Sequence, residues 1–321
     1  MKIRTPYELK SGLIPPEPME AVGVDKYLRE SIINIHKFAN NAETEGYYIV
    51  YGQGGTQLIN AAAYALAYIA EKQLPVFAQV PYYGQYKAWA EFNSLNNYWN
   101  SSLNQIEHEN EIIEFVTTPN NPDGSMRTPY YSNSTNLVYD MVYYWPSWTT
   151  VTEKANHDIM LFSLSKLSGH AGSRFGWALV KDFEVAKAMR SLINLLNIHT
   201  SLDTAHRAIT ILDAMVAEDG AFFTAISDIM QHRYSQIIPL FSQQSRFSLE
   251  STTDPATWFY LWIKCNSGEN CYNAFLDGGI AGEPGSLYGG TDDYVRIQLT
   301  ERSVDYNVLF TRLSKLLTNS Q

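Results

Sequence analysis

A lysine, an aspartate, an arginine and a glycine-rich turn are the residues of this 321-residue sequence best suited to chemistry. Gly52-Gln53-Gly54-Gly55-Thr56-Gln57 precedes an Ala-rich helical stretch. Its glycines let backbone N–H groups approach an anion, and the helix N-terminus favours negative charge. A phosphate site is the natural use, and an ordinary tight turn is the plain alternative. A dinucleotide fingerprint asks for a third glycine at Gln57 and an acid closing the next strand, and the sequence has neither. The P-loop lysine is missing as well. A phosphate carried by some other cofactor therefore fits better than NAD.

Ser163-Leu164-Ser165-Lys166 matches the S-x-x-K pattern of acylating serine enzymes, with Tyr131-Ser132-Asn133 as a partner segment. No K-T-G follows, however, and the lysine stands just after a strand. Burial and a neighbouring cation would lower the pKa of such an amine, so that it can form a Schiff base with a carbonyl cofactor. A solvated surface lysine is the bland reading. Arg174, behind Gly169-His170-Ala171-Gly172-Ser173, supplies a fixed positive charge suited to a phosphate. Asp140 closes an apolar strand, where a buried carboxylate needs a partner such as a pyridinium nitrogen, unless it is only a turn former. Asn121 sits in Asn120-Asn121-Pro122-Asp123-Gly124, a turn sequence whose amide can also donate to a phenolate oxygen. Tyr82 and Tyr83 follow a strand, where an aromatic either stacks on a ring or simply packs. In chain order these are a phosphate loop, a stacking aromatic, an amide, an acid, a lysine and an arginine, the inventory needed to hold pyridoxal phosphate.

The elements that must place these residues follow from periodicity. A helix is predicted over residues 24–40, with Tyr27, Ile32, Ile33 and Ile35 as its apolar stripe. A strand over residues 47–51 leads through the glycine turn into a helix over 58–72. Further strands are read at 75–80, 109–117, 136–141, 158–164 and 175–180. Helices fill residues 183–241, and strands at 258–265 and 294–299 precede a final helix over 304–317. Strands alternating with crossovers predict an α/β fold with a mainly parallel sheet and ligands at its carboxyl edge, followed by a smaller α+β domain. Residues 1–34 are expected to form an N-terminal arm and part of the small domain, 35–215 the large cofactor-binding domain, and 216–321 the C-terminal small domain.

Composition narrows the function classes. With 23 Lys and Arg against 33 Asp and Glu, the net charge is −10, and no basic cluster suits a nucleic acid. Charged residues make up only 17%, and 22 tyrosines fill much of the polar surface. The longest apolar stretch, residues 59–70, is shorter than the roughly 20 residues a bilayer span needs. The opening MKIRTPYELK has no apolar segment behind its basic residues, so no leader and a cytoplasmic location are expected. The seven histidines form no metal-ligand array. Cys265 and Cys271 are too few for a disulfide scaffold, though their spacing allows a local bridge.

The order and wording of these segments resemble the fold-type I pyridoxal-phosphate enzymes, an aspartate aminotransferase-like class, and within it the alliinase and tryptophan aminotransferase-related family. Residues 41–45, 52–58, 81–83, 120–124, 139–146, 163–181 and 294–296 carry the resemblance, and the run 165–178 is the most specific. The resemblance implies that Lys166 holds the cofactor as a Schiff base and moves the Cα proton, while Asp140 pairs with the pyridine nitrogen. It assigns Asn121 and Tyr143 to the ring oxygen and Tyr83 to the ring face. Gly54, Gly55, Thr56, Gln57, Ser163 and Arg174 would hold the phosphate. Arg296, with Asn121, would bind the substrate α-carboxylate as a bidentate fork. The family's N-terminal tyrosine, which reaches the partner subunit's phosphate, has no matching motif here beyond a weak substitute in Tyr7. The two cysteines resemble a local pair of the family's small domain and are expected to be reduced in a cytoplasmic setting. The activity implied is that of an aminotransferase for an L-amino acid, aromatic or bulky, with a 2-oxo acid acceptor. The alternatives are a carbon–sulfur lyase, or a specialised β/γ-elimination, replacement or cyclisation enzyme. A homodimer with shared active sites is expected.

Overall fold

The computed structural model describes residues 23–92, 97–99, 112–131, 136–198, 200–242, 245–251 and 257–318. Tyr7, Ser132, Asn133, most of the expected N-terminal arm and the start of the strand read at 109–117 lie outside these residues. In chain order come α1 (Val24–Ala39), β1 (Tyr48–Gly52), α2 (Gly55–Ile69), β2 (Val76–Ala78), α3 (Gln85–Phe92), β3 (Asn97–Trp99) and β4 (Ile113–Thr117). There follow β5 (Leu137–Asp140), β6 (Ile159–Ser163), α4 (Leu164–Leu167), β7 (Gly176–Val180), α5 (Phe183–Asn197), α6 (Leu202–Val216) and α7 (Ala221–Phe241). The chain ends with β8 (Phe247–Leu249), β9 (Tyr260–Cys265), α8 (Cys271–Asp277), β10 (Glu283–Pro284), β11 (Tyr294–Gln298) and α9 (Ser303–Thr318). Each apolar run read as a strand is one. The unanticipated elements, α3, β3, α4, β8, α8 and β10, are all too short to show a period.

The large sheet has seven strands in the order β1-β7-β6-β5-β4-β2-β3. From β3 to β6 neighbours pair in parallel, whereas β7 runs antiparallel to both β6 and β1. The reversal follows from the short return between β6 and β7, which turns back at the carboxyl edge instead of crossing a face. Register then collects the strand ends: Gly52 and Ser163 both pair with Gly176, and Thr117 pairs with Asp140. All residues of β4, β6 and β7 are buried, as expected of strands covered on both faces. One cover is α2 against α5, where Ala61, Ala62, Ala63 and Ala65 allow close approach to the sheet.

The opposite cover is α1 against α6. The buried stripe of α1 is Val24, Leu28, Ile32, Ile35 and Ala39, and Tyr27 of the predicted stripe is instead 42% exposed. The i, i+4 spacing set by contact with α6 rotates the helix slightly from the face the sequence favoured. On the same buried face, His36 accepts a hydrogen bond at Nε2 from Trp177 Nε1 (2.9 Å), which leaves Nδ1 to donate to Asn41 Oδ1 (2.8 Å). This ring is neutral: complete burial pulls its pKa down to about 4.

A second sheet, β10-β11-β9-β8, is antiparallel and carries α7, α8 and α9. Cys265 closes β9 and Cys271 opens α8 with Cα atoms 5.5 Å apart, and the two form a disulfide rather than the expected reduced pair. That spacing is ordinary for a bridge, and the strand-to-helix return sets it. The two sheets meet beside Tyr83. The Tyr82 amide donates to Tyr288 O (3.0 Å), and a Cβ on Gly84 would stand 2.3 Å from Leu287 O, so only glycine fits there. Among the described residues no helix is long and apolar enough to cross a membrane.

Candidate active site

The carboxyl edge of the large sheet opens into a cavity of about 180 Å³. Its glycine end is built first by backbone conformation. Gly54 has φ 83°, and a Cβ there would lie 2.8 Å from Arg174 Nη2. The turn delivers Gly55 as the first residue of α2, three residues before the predicted start, and no side chain caps that helix. Its first N–H groups therefore face the cavity's end without intrahelical partners. Arg174 sits in the left-handed region (φ 47°) and donates from Nη1 to Ala171 O (3.0 Å) and from Nη2 to Gln53 O (3.1 Å), which pins the guanidinium over the turn. Ser163 contributes its hydroxyl from the end of β6, where it also accepts from the Ser165 amide (3.3 Å). Thr56, whose hydroxyl is hydrogen-bonded to Tyr83, lines the same wall. The Gln57 side chain turns away, accepting from the Gln53 amide (2.7 Å) and donating to Asn197 Oδ1 (2.9 Å), so that only its backbone can serve an anion here.

Asp140 ends β5 on the cavity's opposite wall and is 3% exposed. Tyr86 donates its hydroxyl to Oδ2 (2.7 Å) and shares a second hydrogen bond with Thr117 Oγ1 (2.7 Å). The Val142 amide reaches Oδ1 at 3.4 Å. Burial raises the Asp140 pKa, while Tyr86, the Val142 amide and Lys166 oppose the rise. A carboxyl held this way still gains from a cationic hydrogen-bond donor on its cavity side. Tyr86 is a functional residue that sequence reasoning missed. The signal was present in its position three residues after Tyr83, at the start of a short amphipathic run. Its ring is fixed by stacking on Phe115 at 4.5 Å.

Lys166 lies in α4, one turn beyond its Ser163 cap, and its amine stands 5.5 Å from the ring centres of Tyr143 and Phe259. Burial and the nearby Arg296 lower its pKa, against the raising effect of Asp140 and Glu283. Such an amine loses its proton more readily than a surface lysine and is the more nucleophilic for it. Arg296 rises from β11 outside the cavity lining proper, with Nη1 donating to Asn121 Oδ1 (2.9 Å) and Nη2 paired with Glu283 Oε1 (2.8 Å). Its guanidinium lies over the Tyr260 ring at 4.0 Å. Tyr260 in turn meets Tyr143 hydroxyl to hydroxyl (2.8 Å). Sequence reasoning did not single out Tyr260, Phe259, Tyr288 or Glu283. They belong to the second sheet, and only docking of that sheet brings them to Lys166.

These residues fit pyridoxal phosphate. The glycine cradle that no Cβ could share, the open helix N-terminus and Arg174 suit the phosphate. The buried Asp140 suits a protonated ring nitrogen, and the poised Lys166 suits the aldehyde. Fold and site together define a pyridoxal-phosphate enzyme of the aspartate aminotransferase-like class. Comparison with known structures agrees: an aminotransferase from Staphylococcus aureus superposes with a TM-score of 0.72 at 15% identity, covering 92% of this chain and 84% of that one. Aspartate aminotransferase from Thermus thermophilus with maleate gives 0.71 at 18% identity, over 90% and 81%. A family model described as "Allinase" matches residues 18–317. Tryptophan aminotransferase-related protein 3 of Arabidopsis thaliana is 33% identical over 91% of this chain and 68% of its own length. Alliin lyase of Allium cepa var. aggregatum is 31% identical over 92% and 75%. The chain belongs to the alliinase and tryptophan aminotransferase-related family of fold-type I pyridoxal-phosphate enzymes.

Proposed function

We propose that the protein is an aminotransferase that takes the amino group from an L-amino acid with a bulky or aromatic side chain and passes it to a 2-oxo acid. The observation that carries this reading is the poised amine of Lys166 set electrostatically against Arg296, with the rings of Tyr143, Phe259 and Tyr260 beside them. The printed names of the tryptophan aminotransferase-related relatives support it.

Bound pyridoxal phosphate supplies a ring that accepts electrons and so acidifies the Cα–H of an amino acid joined to it. The protein's own groups do the rest. Arg174, Ser163, Thr56 and the first turn of α2 hold the phosphate, and Tyr83 covers the ring face. Asp140, steadied by Tyr86, keeps a proton on the pyridine nitrogen. Asn121 and Tyr143 face the ring oxygen. Arg296 orients the substrate through its α-carboxylate, and the Lys166 amine, freed from the cofactor, takes the proton from Cα.

A carbon–sulfur lyase is the second reading, favoured by the alliin lyases, which are about as similar to this chain as the aminotransferase-related proteins. In that chemistry a leaving group departs from Cβ once the Cα proton has gone. Incubation of the purified, cofactor-loaded protein with amino acids, with and without a 2-oxo acid, separates the two. Turnover that depends on the acceptor is expected, and ammonia release without an acceptor sinks the aminotransferase reading.

A homodimer is part of the proposal. Leu195, Leu196 and Ile198, at 83%, 63% and 67% exposure, form an apolar patch next to Asn197, the partner of Gln57 at the phosphate turn. A patch of this kind beside a site commonly marks a protein contact.

A further inference from the structure

The acid on the substrate arginine has no role in the reaction above. Glu283 and Arg296 are cross-strand partners in the β10–β11 ladder, so the backbone itself places them together. Oε1 of Glu283 lies 2.8 Å from Arg296 Nη2, while Oε2 accepts a short hydrogen bond from the Tyr288 hydroxyl. Arg296 Nη1 is already given to Asn121, and its buried Nε has no acceptor among the described residues. A guanidinium offers a carboxylate two forked edges, Nη1 with Nη2 or Nε with Nη2, and both use Nη2. Any substrate carboxylate clamped bidentately by Arg296 must therefore share Nη2 with Glu283 or displace it. The Glu283 side chain is 48% exposed, which leaves it room to swing toward solvent. The charges acting most strongly on Lys166 are Arg296, Asp140 and Glu283. With Asp140 committed to the ring nitrogen, Glu283 balances the one cation at the substrate end.

Resting on the reading of Arg296 as the carboxylate clamp, we propose that Glu283 is a specificity residue. It is an internal carboxylate that lets a single α-carboxylate compete for Arg296 and turns away amino acids carrying a second acid group. The substrate class is thus narrowed to monocarboxylic amino acids with neutral or cationic side chains.

Calorimetric titration of the cofactor-loaded protein with propionate and with succinate tests this without any turnover. Glu283→Gln is expected to tighten propionate binding and to improve succinate binding by about tenfold or more, because a like charge beside the clamp is gone. Glu283→Asp keeps the charge and should keep succinate disfavoured, which separates charge from a change of shape. An unchanged succinate-to-propionate ratio in Glu283→Gln overturns the proposal. So does weakened propionate binding, which would make Glu283 a positioning residue for Arg296, and so does equal relaxation by both variants. If the wild-type protein binds neither probe, the clamp reading of Arg296 falls first and the proposal with it. Acceptor-independent turnover, by contrast, would overturn the aminotransferase reading and leave this one standing.

Discussion

A carboxyl as deeply buried as that of Asp140 depends on the few donors that reach it. Tyr86 is the strongest of these, and its ring is separately secured on Phe115. Tyr86→Phe should therefore fold with the same cofactor stoichiometry yet lose about tenfold in kcat, since a hydrogen bond to a charged group is worth roughly 1.5–3 kcal/mol. Steady-state kinetics beside a thermal melt would check it, and an unaltered kcat would remove Tyr86 from the site. Lys166→Ala should leave the fold intact and lower turnover by about 10²–10⁴-fold or more, because the Cα proton then has no positioned acceptor. The visible absorbance of the bound cofactor should change at the same time. A variant that kept both the wild-type spectrum and its rate would displace Lys166 from its role.

At the level of elements, two junctions lend themselves to measurement. The first is the turn from β1 into α2. Gly54→Ala places a Cβ against the Arg174 guanidinium at a positive φ, and should weaken cofactor affinity by about tenfold through roughly 1–2 kcal/mol of strain. Dissociation followed by cofactor absorbance reads this directly. The second is the seat of α1 on the large sheet, where His36 is buried neutral with its pKa at about 4, below the unfolded value of 6.5. Between these values the unfolded chain binds the proton and the folded chain does not. The stability this residue contributes is thus complete above pH 6.5 and is lost as pH falls toward 4, by about 3 kcal/mol in all. Chemical denaturation across that window should show the loss, and a His36→Gln protein should show a slope shallower by about one proton. Equal slopes would mean that His36 does not titrate with unfolding.

For the whole molecule, the second sheet works as a lid carrying chemistry. It brings Arg296, Glu283, Tyr260 and Phe259 to a cavity whose floor belongs to the first sheet. Its own rigidity is helped by the Cys265–Cys271 bridge, which closes a short loop. Reduction, or Cys271→Ser, should lower stability by about 2 kcal/mol on the loop-entropy account and leave cofactor binding unchanged. A melt under reducing and non-reducing conditions is sufficient, and loss of cofactor on reduction would show that the bridge shapes the site as well. The exposed Leu195, Leu196 and Ile198 predict a light-scattering mass of two chains. Charged replacements there should give monomers with weakened cofactor binding, if the partner completes the phosphate end.

What the sequence by itself determined was local and ordered along the chain. Strands long enough to show an apolar run, the glycine turn, and Asp140, Ser163 and Lys166 at strand ends were all legible, because period, turn chemistry and the placing of polar residues after apolar runs are properties of neighbouring residues. Short elements such as α3 and β10 were not, for they hold too few residues to show a period. Tyr86 and Glu283 were hidden with them. The direction of β7, the rotation of α1 and the disulfide were decided by packing between segments far apart in sequence. The same holds for the meeting of Arg296 with Asn121, residues separated by 175 positions and joined at 2.9 Å. Only the docking of one sheet on the other makes that contact, and burial by both sheets is what shifts the Lys166 and Asp140 pKa values toward chemistry.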